Sequence, residues 1–233
     1  IPEFTSNGIM QAAAGVKVSF LTSVREEGFR FEFLKNAMTG AGIECLNVKD
    51  KFRTVCVKSS YFVERNQVLE VEDAPFRATD SKLMSTMVEG FTRLLSDDVS
   101  CVLISDSGYG LLSEPIVQNI VRIARKKKIL TIGNMSATLR TNLKKFSSSK
   151  ILCTTEANLR SYMHDYENGL SVLVHEFYSK YDIPELYLQL SDSSSLYFRP
   201  SKYTNMESFH IPPLLLKREG NTGCQEAFIA GIT

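Results

Sequence analysis

The feature that most constrains this chain is a pair of short apolar runs on either side of one amphipathic helix. Cys101-Val102-Leu103-Ile104 is apolar at every position, as expected of a strand covered on both faces of a parallel sheet. A loop from Ser105 to Gly110 follows, and Ser113-Glu114-Pro115 opens a helix with a cap residue, an acid and an early proline. Arg125 to Lys128 close that helix with charges that suit its C-terminal dipole, and Ile129 to Ile132 supply the next strand. Strands joined in this way lie parallel, with a right-handed crossover.

The same alternation recurs along the chain. Val16-Lys17-Val18-Ser19-Phe20-Leu21 reads as a strand, followed by a helical pattern with Phe29, Phe33 and Ala37 at four-residue spacing and a stop at Gly40 and Gly42. Val55 to Val63 and Gln67 to Val71 form a hairpin pattern that interrupts the α/β order. Leu83, Met84, Met87, Val88, Phe91, Leu94 and Leu95 make a core-facing helical stripe. Ile151-Leu152-Cys153 is a further strand and Leu170 to Tyr178 a further helix, while Glu185 to Leu190 and Leu196 to Phe198 read as two neighbouring strands joined by a Ser/Asp turn. The expectation is an α/β chain with a mostly parallel sheet flanked by helices. Ligands of such sheets bind at the carboxyl ends of the strands, so the loops at Ser105 to Gly110, Gly133 to Ser136 and Thr154 to Leu159 should share one edge.

Composition narrows the partners. A net charge of +1 gives no field selecting nucleic acid or an anionic membrane, and 43% hydrophobic with 23% charged residues is ordinary for a folded globular chain. No apolar run reaches the roughly 20 residues that span a bilayer, and no signal-peptide pattern opens the chain. Cys45, Cys56, Cys101, Cys153 and Cys224 lack metal-ligand spacing and mostly lie in apolar runs, which reads as reduced core thiols in a cytoplasmic or other reducing compartment, without disulfides or structural zinc. His164, His175 and His210 are far apart with no metal-ligand spacing. The basic run Arg122 to Lys128 reads as a solvated, dipole-compensating helix end. Ile1-Pro2-Glu3-Phe4 has the character of a cloning remnant.

Near the end, Gly220-Asn221-Thr222-Gly223-Cys224-Gln225-Glu226-Ala227-Phe228-Ile229-Ala230-Gly231 resembles the D-T-T-G-A-G-D-x-F-x-A-G signature of the ribokinase-like (PfkB) carbohydrate kinases. Ala14-Gly15-Val16-Lys17-Val18-Ser19-Phe20 is similar to that family's strand entry, and Ser105-Asp106-Ser107-Gly108-Tyr109-Gly110 to its S-D-Y-G-K-G block. Val63-Glu64-Arg65-Asn66-Gln67-Val68-Leu69 looks most like the bacterial heptose-phosphate kinase branch. The resemblance implies a Rossmann-like ribokinase fold in one domain, residues 1–233, truncated at both ends relative to the family. It also makes residues 54–72 the remnant of a β lid over the sugar site.

Phosphoryl transfer to a hydroxyl needs a positioned base and bare backbone N–H groups around the moving phosphate. By the resemblance, Glu226 stands at the base, Thr222, Gly223 and Gln225 at the phosphate-holding turn, and Gln67 and Asp106 at substrate contacts. Each position has its plainer reading: Glu226 as an acid favouring a helix start, Asp106 as a turn former, and Gln67 as part of a solvated hairpin. Glu226 carries one methylene more than the usual aspartate, and Gln225 replaces a glycine. The magnesium-organising N-x-x-E falls on Glu156-Ala157-Asn158-Leu159, the D-P-K block on Gly133-Asn134-Met135, and the lysine of S-D-Y-G-K-G on Tyr109. The early V-G-x-D-x-x-G turn falls on Val24 to Arg30, with arginine at both glycines.

These departures lead to the expectation of a catalytically impaired homologue, a pseudokinase, serving as a structural or interaction subunit. No cofactor and no metal is expected on that reading. The alternative is an active sugar or sugar-phosphate kinase using Glu226 with ATP and magnesium. A protein partner or self-association through the hairpin edge is expected, with a sugar-like small ligand possible and no membrane or nucleic acid.

Overall fold

The computed structural model describes residues 11–64, 66–74, 76–135, 142–191, 194–202, 205–213 and 231. Within them the chain divides into two compact units, one holding residues 11–96 with 109–111 and the other residues 97–108 with 112–213.

The second unit carries the larger sheet. Its strands are β5 (Cys101–Asp106), β6 (Leu130–Met135), β7 (Ile151–Thr155), β8 (Glu185–Gln189), β9 (Ser195–Ser201) and β10 (Asn205–Ile211), in spatial order β10-β9-β8-β7-β6-β5. β5 to β8 are parallel; β9 and β10 are added antiparallel. Helices α3 (Glu114–Lys126), α4 (Glu156–Met163) and α5 (Leu170–Lys180), with a 3-10 turn at Leu143–Phe146, belong to this unit. The expected mixed α/β architecture with a mostly parallel sheet is what forms. α3 buries Ile116, Val117, Ile120, Val121 and Ala124, positions that recur at helical spacing along one face. Register places Ser105 beside Asn134 and Asn134 beside Cys153, so the carboxyl ends of β5, β6 and β7 lie level along one edge.

In the first unit β1 (Ser19–Thr22) pairs in parallel with β2 (Glu44–Asn47), and α1 (Phe29–Gly40) makes the crossover. The four-residue stripe expected of this helix is not its buried face: Phe29 is 84% exposed and Phe33 is exposed, whereas Leu34 and Met38 are buried. They pack with Val24, Ile43 and Val55, so the core is met one position on from the aromatic row. β3 (Val57–Val63) and β4 (Asn66–Asp73) form the expected antiparallel hairpin, with a register shift between Tyr61 and Phe62. α2 (Ser81–Leu94) starts at Asp80, whose side chain accepts from the Leu83 N–H at 2.8 Å, and it buries Met87 and Phe91 from the expected stripe.

β2, α4 and β10 have no counterpart in the sequence reading. Their sequences are short or carry weak periodicity, and sheet pairing or packing supplies the stability that propensity does not. The thiols also depart from expectation. Among the described residues only Cys153 is buried; Cys56 and Cys101 are half-buried and Cys45 is exposed. All four are free. No helix among the described residues is long and apolar enough to cross a membrane.

Candidate functional site

The level strand ends of the second unit put Asp106, Asn134 and Thr154 near one another in register, and all three are buried. Asp106 ends β5. One of its carboxylate oxygens accepts from the backbone N–H of Gly108 at 3.0 Å, and the other is ion-paired with the ammonium of Lys145. Both side chains are almost fully buried, and the Lys145 ammonium also donates to the Leu112 carbonyl at 2.9 Å. A buried charge is tolerated when it is paired and hydrogen-bonded, and this pair meets both conditions.

Lys145 is aimed by the turn that carries it. Asn142 caps the 3-10 turn, accepting from the Lys144 N–H at 2.9 Å and from the Tyr162 hydroxyl at 3.0 Å, while its amide donates to Glu114 at 3.2 Å. The Gln118 amide lies within hydrogen-bond reach of the carbonyls of Lys144, Lys145 and Ser147, at 3.0 to 3.2 Å. α3 and α4 thus hold the turn from two sides. On β6, Asn134 donates to the Ser105 hydroxyl at 3.1 Å, and its carbonyl oxygen is buried with no partner among the described residues. Gly133 lies under the Phe146 ring, and a Cβ there would come within 2.6 Å of the ring.

The block Glu156-Ala157-Asn158-Leu159 opens α4, with Thr155 as its cap accepting from the Asn158 N–H at 3.1 Å. Glu156 is engaged by Arg160 at 2.8 Å, and Leu159 is fully buried in the core. The two positions assigned to magnesium organisation therefore offer a side chain already paired and one with no ligand atom; the described residues do not fit the ion there. Among the described residues no cluster of three or more histidines, cysteines or carboxylates is placed to hold a metal.

The first unit holds the rest of the S-D-x-G-x-G block. The Tyr109 hydroxyl donates to Glu72 on β4 at 2.7 Å, and Lys58 on β3 reaches the same carboxylate at 2.8 Å. Burial pushes the Glu72 carboxyl up, but these two bonds outweigh it and hold the group below the ordinary carboxylate range. Gly110 has φ +85 and lies so near the Arg77 carbonyl oxygen that a Cβ would come within 2.5 Å. Arg53, buried, donates to the carbonyls of Tyr109 at 3.2 Å and Arg77 at 2.7 Å, and faces the Asp50 carboxylate at 3.6 Å. Burial and the neighbouring Arg77 pull its pKa down while Asp50 holds it up, with a net lowering.

Of the residues singled out in the sequence, Asp106 lies at the strand edge of the second unit and Gln67 on β4 of the first, opposite Phe62. Glu226, Thr222, Gly223 and Gln225 lie outside the described residues. Sequence reasoning missed Lys145, Asp50 and Arg53. Lys145 sits in the Lys-Lys-Phe-Ser stretch that reads as surface, and no spacing rule ties it to a residue 39 positions earlier.

Solved structures share this fold. Phosphofructokinase-2 from Escherichia coli, in complex with potassium, superposes with a TM-score of 0.72 at 13% identity, covering 97% of this chain and 71% of that one. Ribokinase from Giardia lamblia gives 0.74 at 14% identity, covering 97% and 69%. A carbohydrate kinase from Agrobacterium tumefaciens gives 0.64 at 14%, covering 97% and 69%.

The fold is that of the ribokinase-like sugar kinases.

No protein-family model matches the sequence, and no curated protein matches it significantly. The ribokinase fold is therefore carried here by a sequence far from those of the similar structures. In this chain Asp106, at the end of β5, is ion-paired with Lys145.

Proposed function

We propose that this chain is a catalytically impaired relative of the PfkB sugar kinases, a pseudokinase that acts as a structural or interaction subunit. The observation that carries the reading is the engagement of Asp106. The carboxylate is almost fully buried, and each of its oxygens already has a partner, Gly108 or Lys145, so a substrate hydroxyl would have to compete with contacts inside the chain.

Three further positions support it. Gly133, where the resemblance expects an aspartate, is packed under Phe146. Leu159, where it expects a magnesium-organising glutamate, is core. Tyr109, where it expects a lysine, is bonded to Glu72. Glu226, Thr222, Gly223 and Gln225 enter from sequence alone. The added methylene at Glu226 misplaces a base, and the Gln225 side chain crowds the phosphate turn; a misplacement of about 1 Å costs on the order of a hundredfold in rate. Gln67 stays the proposed contact for any sugar-like ligand. A cytoplasmic or other reducing compartment belongs to the same reading.

Self-association through the β3–β4 hairpin is part of the proposal. Tyr61, Phe62, Val63, Val68, Leu69 and Val71 are all exposed on this two-stranded ribbon, and unpaired strand edges with apolar side chains favour pairing with another chain. A tetrameric inhibited form of Escherichia coli phosphofructokinase-2 is among the similar structures, at a TM-score of 0.70 and 13% identity.

The test is thermal unfolding of the purified chain with and without ATP and magnesium. A ligand at a hundred times its dissociation constant adds about 2.7 kcal/mol of stability. No shift is expected. A magnesium-dependent rise in Tm, followed by sugar phosphorylation that disappears in Glu226→Ala, would return the chain to the active kinases.

A further inference from the structure

The second unit carries an open cleft of about 530 Å³ along α3, lined by Pro115, Gln118, Asn119, Val121, Arg122, Arg125, Lys126 and Ser148. Its polar lining divides into two kinds. The Gln118 amide is committed to carbonyls of the following turn, the Asn119 amide donates to the Pro115 carbonyl at 2.8 Å, and the Ser148 hydroxyl donates to Asp182 at 3.1 Å. Arg122, Arg125 and Lys126 are exposed. Among the described residues none of the three has a carboxylate partner, and Arg122 is steadied by one bond to Asn119 at 2.7 Å.

The arginines and lysine stand three and four residues apart and so share one helix face. Dipole compensation explains cations in the last turn; it does not explain Arg122, a full turn earlier, nor five basic residues between positions 122 and 128 in a chain of net charge +1. The lining runs from Pro115 to Lys126, about 16 Å of helix at 1.5 Å per residue, the span of roughly five residues of extended chain. A cleft this open covers an extended segment along one side, whereas a small-molecule site encloses most of its ligand.

We infer that this cleft docks an acidic, extended segment of a protein partner, with Arg122 and Arg125 gripping its carboxylates and Lys126 adding a third charge. Val121 and Pro115 give the cleft an apolar floor on which the stems of those side chains and the segment can lie. The choice of a protein as occupant rests on the proposed role as an interaction subunit; the cleft and its charges do not.

The experiment is fluorescence anisotropy of a labelled octapeptide of alternating Glu and Ser, titrated with the full chain at low and physiological salt, without ATP or magnesium. Expected are saturable binding that weakens with salt, and a dissociation constant raised at least about tenfold in Arg122→Glu/Arg125→Glu. Thermal unfolding of the variant checks that it folds; Lys126→Glu, with the arginines intact, gives a second and milder reading. Absence of binding overturns the inference, as does binding unaffected by the reversals. Tighter binding of a short DNA duplex or of tripolyphosphate than of the peptide overturns it as well, assigning the cleft to nucleic acid or to a phosphorylated small molecule. Because nucleotide is absent throughout, failure here leaves the ATP melting result, and the pseudokinase reading, standing apart.

Discussion

The Phe146 ring lies against the backbone of Gly133 so closely that a Cβ on residue 133 would come within 2.6 Å of it. Phe146 is fully buried, so the ring has little freedom to withdraw. Gly133→Ala should therefore destabilise the chain by about 1–3 kcal/mol through overpacking, read as a lowered urea midpoint at unchanged slope. Phe146→Leu in the Gly133→Ala background should recover part of the loss. A neutral Gly133→Ala would show that the strand and the turn are not held together by this contact.

Lys145 and Asp106 make a second test. Lys145→Met leaves a buried carboxylate unpaired, a change that costs about 3–5 kcal/mol. Lys145→Met/Asp106→Asn should be more stable than Lys145→Met alone, because the uncompensated charge is gone. Equal stabilities for single and double variants, measured by chemical denaturation, would mean that the pair is not coupled.

Acid should loosen the first unit through Glu72. Its folded-state pKa is depressed by Lys58 and Tyr109. Its contribution to stability is complete above the unfolded pKa, near 4.5, and is lost as pH falls through the lower folded value. Tyr109→Phe removes one of the two bonds, so the Glu72 titration followed by NMR should move up toward the ordinary carboxylate range. An unmoved midpoint would show that Tyr109 does not hold Glu72.

Thiol chemistry separates the cysteines. Burial pushes the Cys153 thiol up to about 12 and the Cys101 thiol up to about 11. At pH 8 almost none of either is thiolate, the form that reacts. Iodoacetamide should leave both unmodified in the folded chain and label them once urea unfolds it, with mass spectrometry of the peptides as the readout. Rapid labelling of Cys153 in the folded chain would contradict its burial.

Much of the second unit's order was legible in the sequence. Cys101-Val102-Leu103-Ile104 and Ile151-Leu152-Cys153 stand out because a strand covered on both faces needs apolar residues throughout. α3 stands out because its apolar positions recur at helical spacing beside a Ser-Glu-Pro start. The face of α1 was not legible, since Phe29, Phe33, Leu34 and Met38 all fit helical spacing and only the neighbours Val24, Ile43 and Val55 decide which of them are buried. β10 was missed because Asn205–Ile211 alternates weakly, and pairing with β9 completes it.

By itself the sequence determined the order of the strongly patterned strands and helices, the hairpin and the edge on which the strand ends meet, but not β2, α4 or β10. Those follow from local periodicity and chain connectivity. Tertiary structure alone decided that Asp106 is bound to Lys145, that Gly133 is a packing position, and that Arg122, Arg125 and Lys126 line one cleft with Ser148. Each of these joins residues far apart in the chain or sets a local pattern against a surface it does not itself encode. The energies that hold them, desolvated charge pairing and close packing, exist only once the elements have come together.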